Sequence, residues 1–361
     1  MARRLAALAA VAALALTLSA CTSGGPAKPG GTPGASGSPS ATVGGKVVLV
    51  THDSFVISDG LIAEFKKKTG YTLEQRAPGD VGALVNQLVL TKDAPIGDVT
   101  FGIDNTFASR AISNGVLAPY RSPAAGADLA RFAIDNSGDL TPIDYGDVCV
   151  NIDHGWFTAK GIAEPVTLAD LAKPAYKNLL AVENPATSSP GLAFLLATVA
   201  SFGADGWQSY WAQLKANGVK VDEGWTDAYT VDFSGSSGKG SRPLVVSYAS
   251  SPPSEVPKGG TTAPTGALLD TCFRQIEYAG VLKGAKNPAG AQAFIDFMLG
   301  ASFQAALPDA MYVYPVVSTA PVPASWATFA PLPTSPFSVD PAQIDKNRDG
   351  WIQQWTDVVI G

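Results

Sequence analysis

The chain has 361 residues, more than one hydrophobic core usually organises, so its length favours two domains. Hydrophobic residues make up 46% and charged residues 16%, which excludes a disordered chain or a coiled coil and fits a folded protein. The formal net charge is −6, with 25 basic against 31 acidic residues and no basic cluster past the start. This balance argues against a nucleic-acid or anionic-membrane surface.

The first twenty residues are typical of an export signal. Two arginines precede an apolar run from Leu5 to Leu18 that is too short to span a membrane. The run ends in the tetrapeptide Leu-Ser-Ala-Cys, which resembles a lipobox, the motif whose cysteine becomes the lipidated first residue of a bacterial lipoprotein. The sequence therefore predicts a signal peptide over residues 1–20 and lipidation of Cys21. The alternative is a plain secretory signal.

Residues 21–45 predict a flexible tether, because a segment made almost entirely of Gly, Pro, Ser, Thr and Ala cannot bury apolar surface. The folded body then starts near Lys46. We expect it to lie outside the cytoplasmic membrane, anchored to that membrane by lipid on Cys21.

Strand-like and helix-like segments alternate along the body, which indicates a mostly parallel sheet covered by helices. The predicted strands are 46–50, 71–75, 98–103, 148–152, 179–182, 244–248 and 273–282. The first predicted helix starts after Ser58 or Asp59 and ends at Gly70, and the second starts at Asp80. Further helices are predicted at 107–114, 168–172, 190–202, 207–215 and 289–307. Residues 234–242 and 251–266 are predicted loops. Two α/β halves with a binding crevice at the carboxyl ends of the strands are the favoured architecture.

The usual signatures of a serine hydrolase and of a phosphate-binding loop are absent from the sequence. It contains two histidines, His52 and His154, and no Gly-x-Ser-x-Gly elbow of a serine hydrolase. Gly238-Lys239 is followed by glycine rather than the Ser or Thr of a phosphate-binding loop. We therefore expect no enzymatic activity and no cofactor.

Residues 345–352 are similar to the first eight positions of a calcium-binding loop. Thr356 stands where the bidentate glutamate should be, which argues against calcium. A capped helix start, with Trp351, Ile352 and Trp355 packing inward, is the preferred interpretation, and we expect no resident metal.

Two cysteines remain in the body once Cys21 carries lipid. Cys149 and Cys272 form an even pair in an oxidising compartment, which predicts a disulfide, with two buried free thiols as the alternative. They lack the C-x-x-C spacing of a good zinc site.

Polar and aromatic clusters fall at the ends of predicted strands. Together they describe a cleft rich in tyrosine, tryptophan, carboxylate and hydroxyl groups and poor in basic residues, which suits an aromatic organic cation. The clusters are Thr51–Phe55, Gly102–Asn105, Pro142–Gly146, Thr187–Gly191, Glu223–Trp225 with Tyr229, Ser247–Pro252 and Met311–Pro315.

At these clusters the chain resembles the thiamine-binding periplasmic protein family, the extracytoplasmic receptors of thiamine ABC importers, from about Lys46 to the C-terminal helix. The resemblance implies a two-lobed type II periplasmic-binding-protein-like α/β fold with a hinged inter-lobe cleft. It divides the body into lobe 1, residues 46–142 and 276–311, and lobe 2, residues 143–275 and 312–361. The strings that carry it are Asp53-Ser-Phe, Asp98–Asn105, Asp144-Tyr-Gly, Thr187-Ser-Ser-Pro-Gly, Gly224–Tyr229, Ser247-Tyr with Ser251-Pro, and Tyr314-Pro-Val.

The same resemblance assigns roles to individual residues. It implies that Trp225 and Tyr248 offer aromatic faces to thiamine, that Asp53 meets its amino or cationic part, and that Ser188 or Ser189 lies near its hydroxyethyl or phosphate end. The full expected ligand-binding set is Asp53, Ser54, Asp104, Asp144, Tyr145, Ser188, Ser189, Trp225, Tyr229, Tyr248, Ser250 and Tyr312.

The chain departs from the family pattern at three places. Tyr312 stands where relatives tend to have tryptophan, the loops at 234–242 and 253–266 are longer, and the two body cysteines are additional. A thiamine precursor or its pyrimidine moiety is therefore an alternative ligand. In this topology both cysteines fall on strands within one lobe, where a bridge would rigidify the base of the hinge.

The implied partners are thiamine or a derivative, an ABC permease with its ATPase, and the membrane through Cys21, for a monomer that binds no nucleic acid. One rival is a ferric-ion or other small-ligand receptor of the same fold. Tyr312 and Tyr314 could invite iron, although alternation along a strand points them to opposite faces. A surface hydrolase is a second rival.

Overall fold

A computed structural model describes residues 44–361. The predicted signal peptide, Cys21 and nearly all of the predicted tether lie outside the described residues. Among the helices that are described, none is long and apolar enough to cross a membrane.

Ten strands and twelve α-helices occupy the described residues. The strands are β1 (Gly45–Thr51), β2 (Tyr71–Arg76), β3 (Val99–Asp104), β4 (Leu117–Ala118), β5 (Thr141–Asp153), β6 (Leu180–Glu183), β7 (Lys220–Asp222), β8 (Leu244–Tyr248), β9 (Thr265–Leu282) and β10 (Tyr314–Pro315). The helices are α1 (Asp59–Thr69), α2 (Val81–Leu90), α3 (Ala108–Ser113), α4 (His154–Lys160), α5 (Leu168–Leu171), α6 (Ser189–Phe202), α7 (Trp207–Ala216), α8 (Trp225–Asp227), α9 (Pro288–Met298), α10 (Ala301–Met311), α11 (Trp326–Phe329) and α12 (Pro341–Val359).

All ten strands belong to one mixed sheet, whose main path runs β2-β1-β3-β9-β5-β8-β6-β7. β1 is parallel to β2 and β3, and β6 is parallel to β7 and β8, whereas β9 is antiparallel to both β3 and β5. The predicted α/β architecture is confirmed, but the sheet is mixed rather than mostly parallel, because the two long strands β5 and β9 pair antiparallel with their neighbours and connect its parallel halves.

Hydrophobic cores cover the two faces of this sheet, because side chains alternate along each strand. Val47 and Leu49 of β1 belong to one core with α1, α9 and α10, and Val50 belongs to the other. That second core extends to α2, α6, α7 and α12, where Trp211 and Trp355 are fully buried with their rings edge to face.

Local signals determine several helix ends as the sequence predicts. The Ser58 side chain accepts a hydrogen bond from the Leu61 N–H at the start of α1, and Gly70 ends that helix with φ of 78°.

The structure differs from the sequence predictions in two helices and two strands, since the strand predicted at 148–152 already begins at Thr141. The predicted helix 289–307 is two helices, because Gly300 adopts extended backbone between α9 and α10. The strand predicted at 273–282 begins earlier, at Thr265. Residues 345–352 lie inside α12, which starts at Pro341 beneath the cap formed by Asp340. At 3.6 residues per turn, this helix points Asp345 and Asn347 in opposing directions, so they do not form a calcium loop.

A disulfide joins Cys149 of β5 to Cys272 of β9. Both sulfur-bearing residues are fully buried where the two long strands pair. The bond therefore crosslinks the two strands that run between the halves of the sheet.

Candidate functional site

A cavity of about 200 Å³ lies between the loop after β1, the start of α8, the end of β8, the middle of β9 and the end of α10. The side chains that give it chemical character are His52, Ser54, Trp225, Tyr248, Glu277 and Tyr312. Apart from Glu277 and His52, these residues belong to the ligand-binding set expected from the sequence.

Trp225 forms the most firmly held aromatic wall. One face of its indole stacks on the Tyr229 ring, with centroids 4.9 Å apart and planes 11° from parallel. The indole Nε1 donates a hydrogen bond to Ser247 Oγ at 2.9 Å. Since Tyr229 is buried behind it, the stack leaves the opposite indole face available to a ligand.

Tyr312 supplies a second ring, 6.5 Å from Trp225 and tilted by 52°. It caps the end of α10 with φ of 55°, a left-handed conformation that non-glycine residues rarely adopt. The buried Ser250 hydroxyl donates to the Tyr312 carbonyl and holds this turn. The strained backbone thus directs the Tyr312 ring to the cavity.

Glu277 provides an acidic wall. This carboxyl is 3% exposed, and it faces Asp144 across the pairing of β5 with β9. Burial, and then the nearby Asp144, Asp104 and Asp80 carboxyls, raise the pKa of Glu277 well above its usual range.

His52 lies beside this carboxyl, with Nε2 3.5 Å from a Glu277 oxygen and Nδ1 2.8 Å from Ser54 Oγ. Burial lowers the pKa of His52 to about 4, so the imidazole is neutral at pH 7. Gly102, with φ of 101°, makes room for this ring, because a Cβ there would come within 2.2 Å of the imidazole. The cavity therefore presents aromatic faces and a carboxyl without a cationic side chain to neutralise it.

Asp80 and Gly82, at the start of α2, connect the two halves of the sheet next to this cavity. The Gly82 N–H donates to the Thr187 carbonyl at 2.8 Å. One Asp80 oxygen accepts the Trp225 backbone N–H at 3.1 Å. We call the contacts of Asp80, Gly82, Thr187 and Trp225 the latch. Gly82 has to be glycine for this approach, since a Cβ would lie 2.4 Å from the Ala186 carbonyl oxygen.

Three expected ligand-binding residues make buried hydrogen bonds instead of lining the cavity. Asp104 and Ser189 bond to each other where the end of β3 meets the start of α6, and Gln275 Nε2 donates to Ser189 Oγ at 2.6 Å. Ser188 caps α6, where its side chain accepts a hydrogen bond from the Gly191 N–H. The bond between Asp104 and Ser189 joins the two halves of the sheet.

Other expected residues lie around the cavity or away from it. The Asp53 side chain is exposed just before Ser54, and partial desolvation of its carboxyl together with the nearby Asp80 carboxyl raises its pKa. Tyr145 stacks between Phe132 and Tyr314 and lines a separate hollow of about 260 Å³. Asp144, Tyr229 and Ser250 are buried behind Glu277, Trp225 and Tyr312 respectively.

The tyrosines of the iron hypothesis are separated. Tyr312 lines the cavity, whereas the Tyr314 hydroxyl donates to the Ala330 carbonyl and its ring packs against Trp326. Within residues 44–361, no group of three or more His, Cys, Asp or Glu side chains could hold a metal ion.

A larger hollow of about 750 Å³ lies at the start of β9. Its described lining includes Glu164, Asp270 and several threonines but neither tryptophan nor tyrosine. Its aromatic rings are those of Phe329 and His154, so it lacks the tryptophan and tyrosine faces that the cleft is expected to offer.

The ligand-binding set expected from the sequence does not contain Glu277, His52 or the latch residues Asp80 and Gly82, although His52 belongs to the cluster Thr51–Phe55. A usable signal for Glu277 was its charge inside the otherwise apolar run 276–282. A carboxyl in a buried strand needs a partner or a function.

Comparison with known proteins identifies the family. A profile described as "Bacterial extracellular solute-binding protein" matches residues 94–330, more than half of the chain. The chain belongs to this family. Members of this family are extracellular binding proteins and not enzymes. Membership therefore indicates that the protein functions outside the cytoplasm.

Individual solute-binding proteins resemble the chain along most of its length. The thiamine-binding periplasmic protein of Brucella melitensis is 28% identical over 330 residues, covering 88% of this chain and 93% of the relative. That of Escherichia coli K12 is 28% identical over 318 residues, covering 87% and 93%. The expected resemblance is confirmed.

Solved structures confirm the periplasmic-binding-protein fold. A structure named periplasmic thiamin binding protein superposes with a TM-score of 0.76 at 25% identity, covering 87% of this chain and 96% of the other. Iron-bound HitA from Pseudomonas aeruginosa gives a TM-score of 0.64 at 20% identity, covering 87% and 99%. The latter shows a shared fold alone.

Proposed function

We propose that this protein captures thiamine, or a thiamine phosphate or close derivative, in the cavity walled by Trp225, Tyr248, Tyr312 and Glu277, and delivers it to an ABC permease and its ATPase. We further propose that lipid on Cys21 anchors it at the outer face of the cell membrane. The relatives named for thiamine binding support the ligand class.

The observation that carries the proposal is the pairing of aromatic faces with an unneutralised carboxyl in one cavity. Thiamine has a permanently charged thiazolium ring and an aminopyrimidine ring. Cation–π attraction to the free face of Trp225 stabilises such a cation by about 1–2 kcal/mol, in addition to the free energy gained by burying apolar surface. The Glu277 carboxyl has no cationic side chain beside it, so it favours a cationic ligand over a neutral analogue.

The size of the cavity implies movement. Its volume of about 200 Å³ is below the range of about 300–1,000 Å³ usual for small-molecule sites. We propose that lobe 1 and lobe 2, divided as the sequence predicts, move apart at the long strands to admit the ligand and close again through the latch.

A titration of the ligand-stripped protein tests the proposed ligand. We expect thiamine and its phosphates to bind with measurable heat and to quench tryptophan fluorescence, because Trp225 lies in the cavity wall. The free pyrimidine should bind more weakly, and ferric citrate should give no response. Tight binding of iron with no response to any thiamine compound would support the iron receptor instead.

Two tryptophan variants make this titration specific. Trp225→Ala should weaken thiamine binding by about 1–2 kcal/mol, roughly tenfold. Trp156→Ala is the matched control, because this partly buried tryptophan packs on Phe157, away from the cavity. Wild-type affinity in Trp225→Ala would remove that residue from the site.

A further inference from the structure

The carboxyl groups of Asp144 and Glu277 form a buried pair behind the aromatic walls. They face each other across β5 and β9, and Asp144 is fully buried while Glu277 reaches the cavity. Neither Asp144 oxygen receives a hydrogen bond from an N–H or hydroxyl group of the described residues. A buried carboxylate without a donor or cation is costly, so two of them together cannot both be ionised.

The surroundings of the pair add no positive charge. In the described part of the chain, its ion-pair contacts are limited to His52 Nε2, 3.5 Å from Glu277, and that imidazole is neutral at pH 7. Burial raises the pKa of Asp144 to about 7. The titratable groups that act on the pair from the surrounding elements are His52, Asp80, Asp104 and Tyr248.

We propose that the Asp144–Glu277 pair holds a proton in the empty protein and releases it to solvent when a cationic heterocycle enters the cavity, so that capture is coupled to proton release. The inference rests on the function proposed above, which supplies the cation. The exchange conserves charge in the buried site: one positive charge arrives with the ligand as one proton leaves. The ligand takes the place of the cation that the protein itself does not provide.

The coupling determines the sign of the pH dependence. Because binding releases a proton, the affinity for thiamine rises with pH, by up to about tenfold per unit over the range in which the empty pair is protonated. A neutral ligand of similar shape has no such dependence. We take thiochrome, a neutral fused-ring derivative of thiamine, as this probe.

Calorimetric titration of the wild-type protein tests the coupling directly. Thiamine is titrated at pH 7 in phosphate and in Tris, whose ionisation enthalpies differ, and we expect the difference in apparent heat to correspond to release of close to one proton. Equal heats in the two buffers would overturn the coupling while leaving thiamine binding intact. Absence of binding in either buffer would overturn the proposed function instead.

Glu277→Gln keeps the shape of the side chain and removes its charge. We expect it to abolish the proton release and to weaken thiamine binding about tenfold, while its affinity for thiochrome is unchanged. Glu223→Gln is the matched control, since Glu223 is exposed two residues before Trp225 and lines no part of the cavity. Proton release that persists in Glu277→Gln would contradict the assignment, and a melting curve shows whether the variant folds. If it does not fold, the two-buffer comparison on the wild type decides.

Discussion

Gly82→Leu is expected to weaken thiamine binding by about 3 kcal/mol, more than a hundredfold. Any side chain at this position collides with the backbone around Ala186 and Thr187, because even a Cβ would lie 2.4 Å from a carbonyl oxygen. Overpacking costs about 1–3 kcal/mol, and the hydrogen bonds of the latch add about 1 kcal/mol. This free-energy penalty applies only when the two lobes are closed, so the substitution reduces the fraction of protein molecules that can bind thiamine.

Gly60→Leu is the control for this substitution. Gly60 is an exposed glycine in α1, where a Cβ would meet nothing closer than the Ser58 hydroxyl at 3.7 Å. Calorimetry measures both affinities, and small-angle scattering should show a larger radius for folded Gly82→Leu. Near-wild-type affinity in Gly82→Leu would show that the latch does not form during capture.

Replacing Cys149 and Cys272 together by serine is expected to lower the free energy of unfolding by about 4 kcal/mol. The bridge connects residues separated by 123 positions in sequence, so its loss releases a long loop in the unfolded chain. Urea unfolding of the variant and of the oxidised wild type measures the difference.

The reduced wild-type protein provides the control for this variant. It should unfold at the same urea concentration as the double-serine protein, because both lack the crosslink. An unchanged midpoint in the variant would mean that the bridge contributes nothing to stability.

Features encoded by neighbouring residues could be predicted from the sequence. Ser58 and Gly70 bound α1 through interactions within a few residues, so the helix was recognisable in isolation. Trp225, Tyr248 and Tyr312 are recognisable as candidate ligand-binding residues because each belongs to an aromatic or polar cluster at a predicted strand end. The structure places all three around one cavity.

Features that depend on distant pairing could not be predicted. Glu277 gains its acidic partner because β9 pairs with β5, and the latch exists because α2 meets the segment before α6. The sequence also leads us to expect that Asp104 and Ser189 bind ligand, because nothing in either segment shows that the two side chains are hydrogen-bonded to each other. A single sequence does not show which residues that are far apart in the chain contact each other in the fold.

A crystal structure of the protein grown with thiamine would locate the ligand among the side chains of the cavity. We expect the thiazolium ring to lie against the free face of Trp225, between Tyr248 and Tyr312, with its charge beside Glu277. Thiamine bound instead in the hollow at the start of β9, with the aromatic cavity empty, would contradict this expectation.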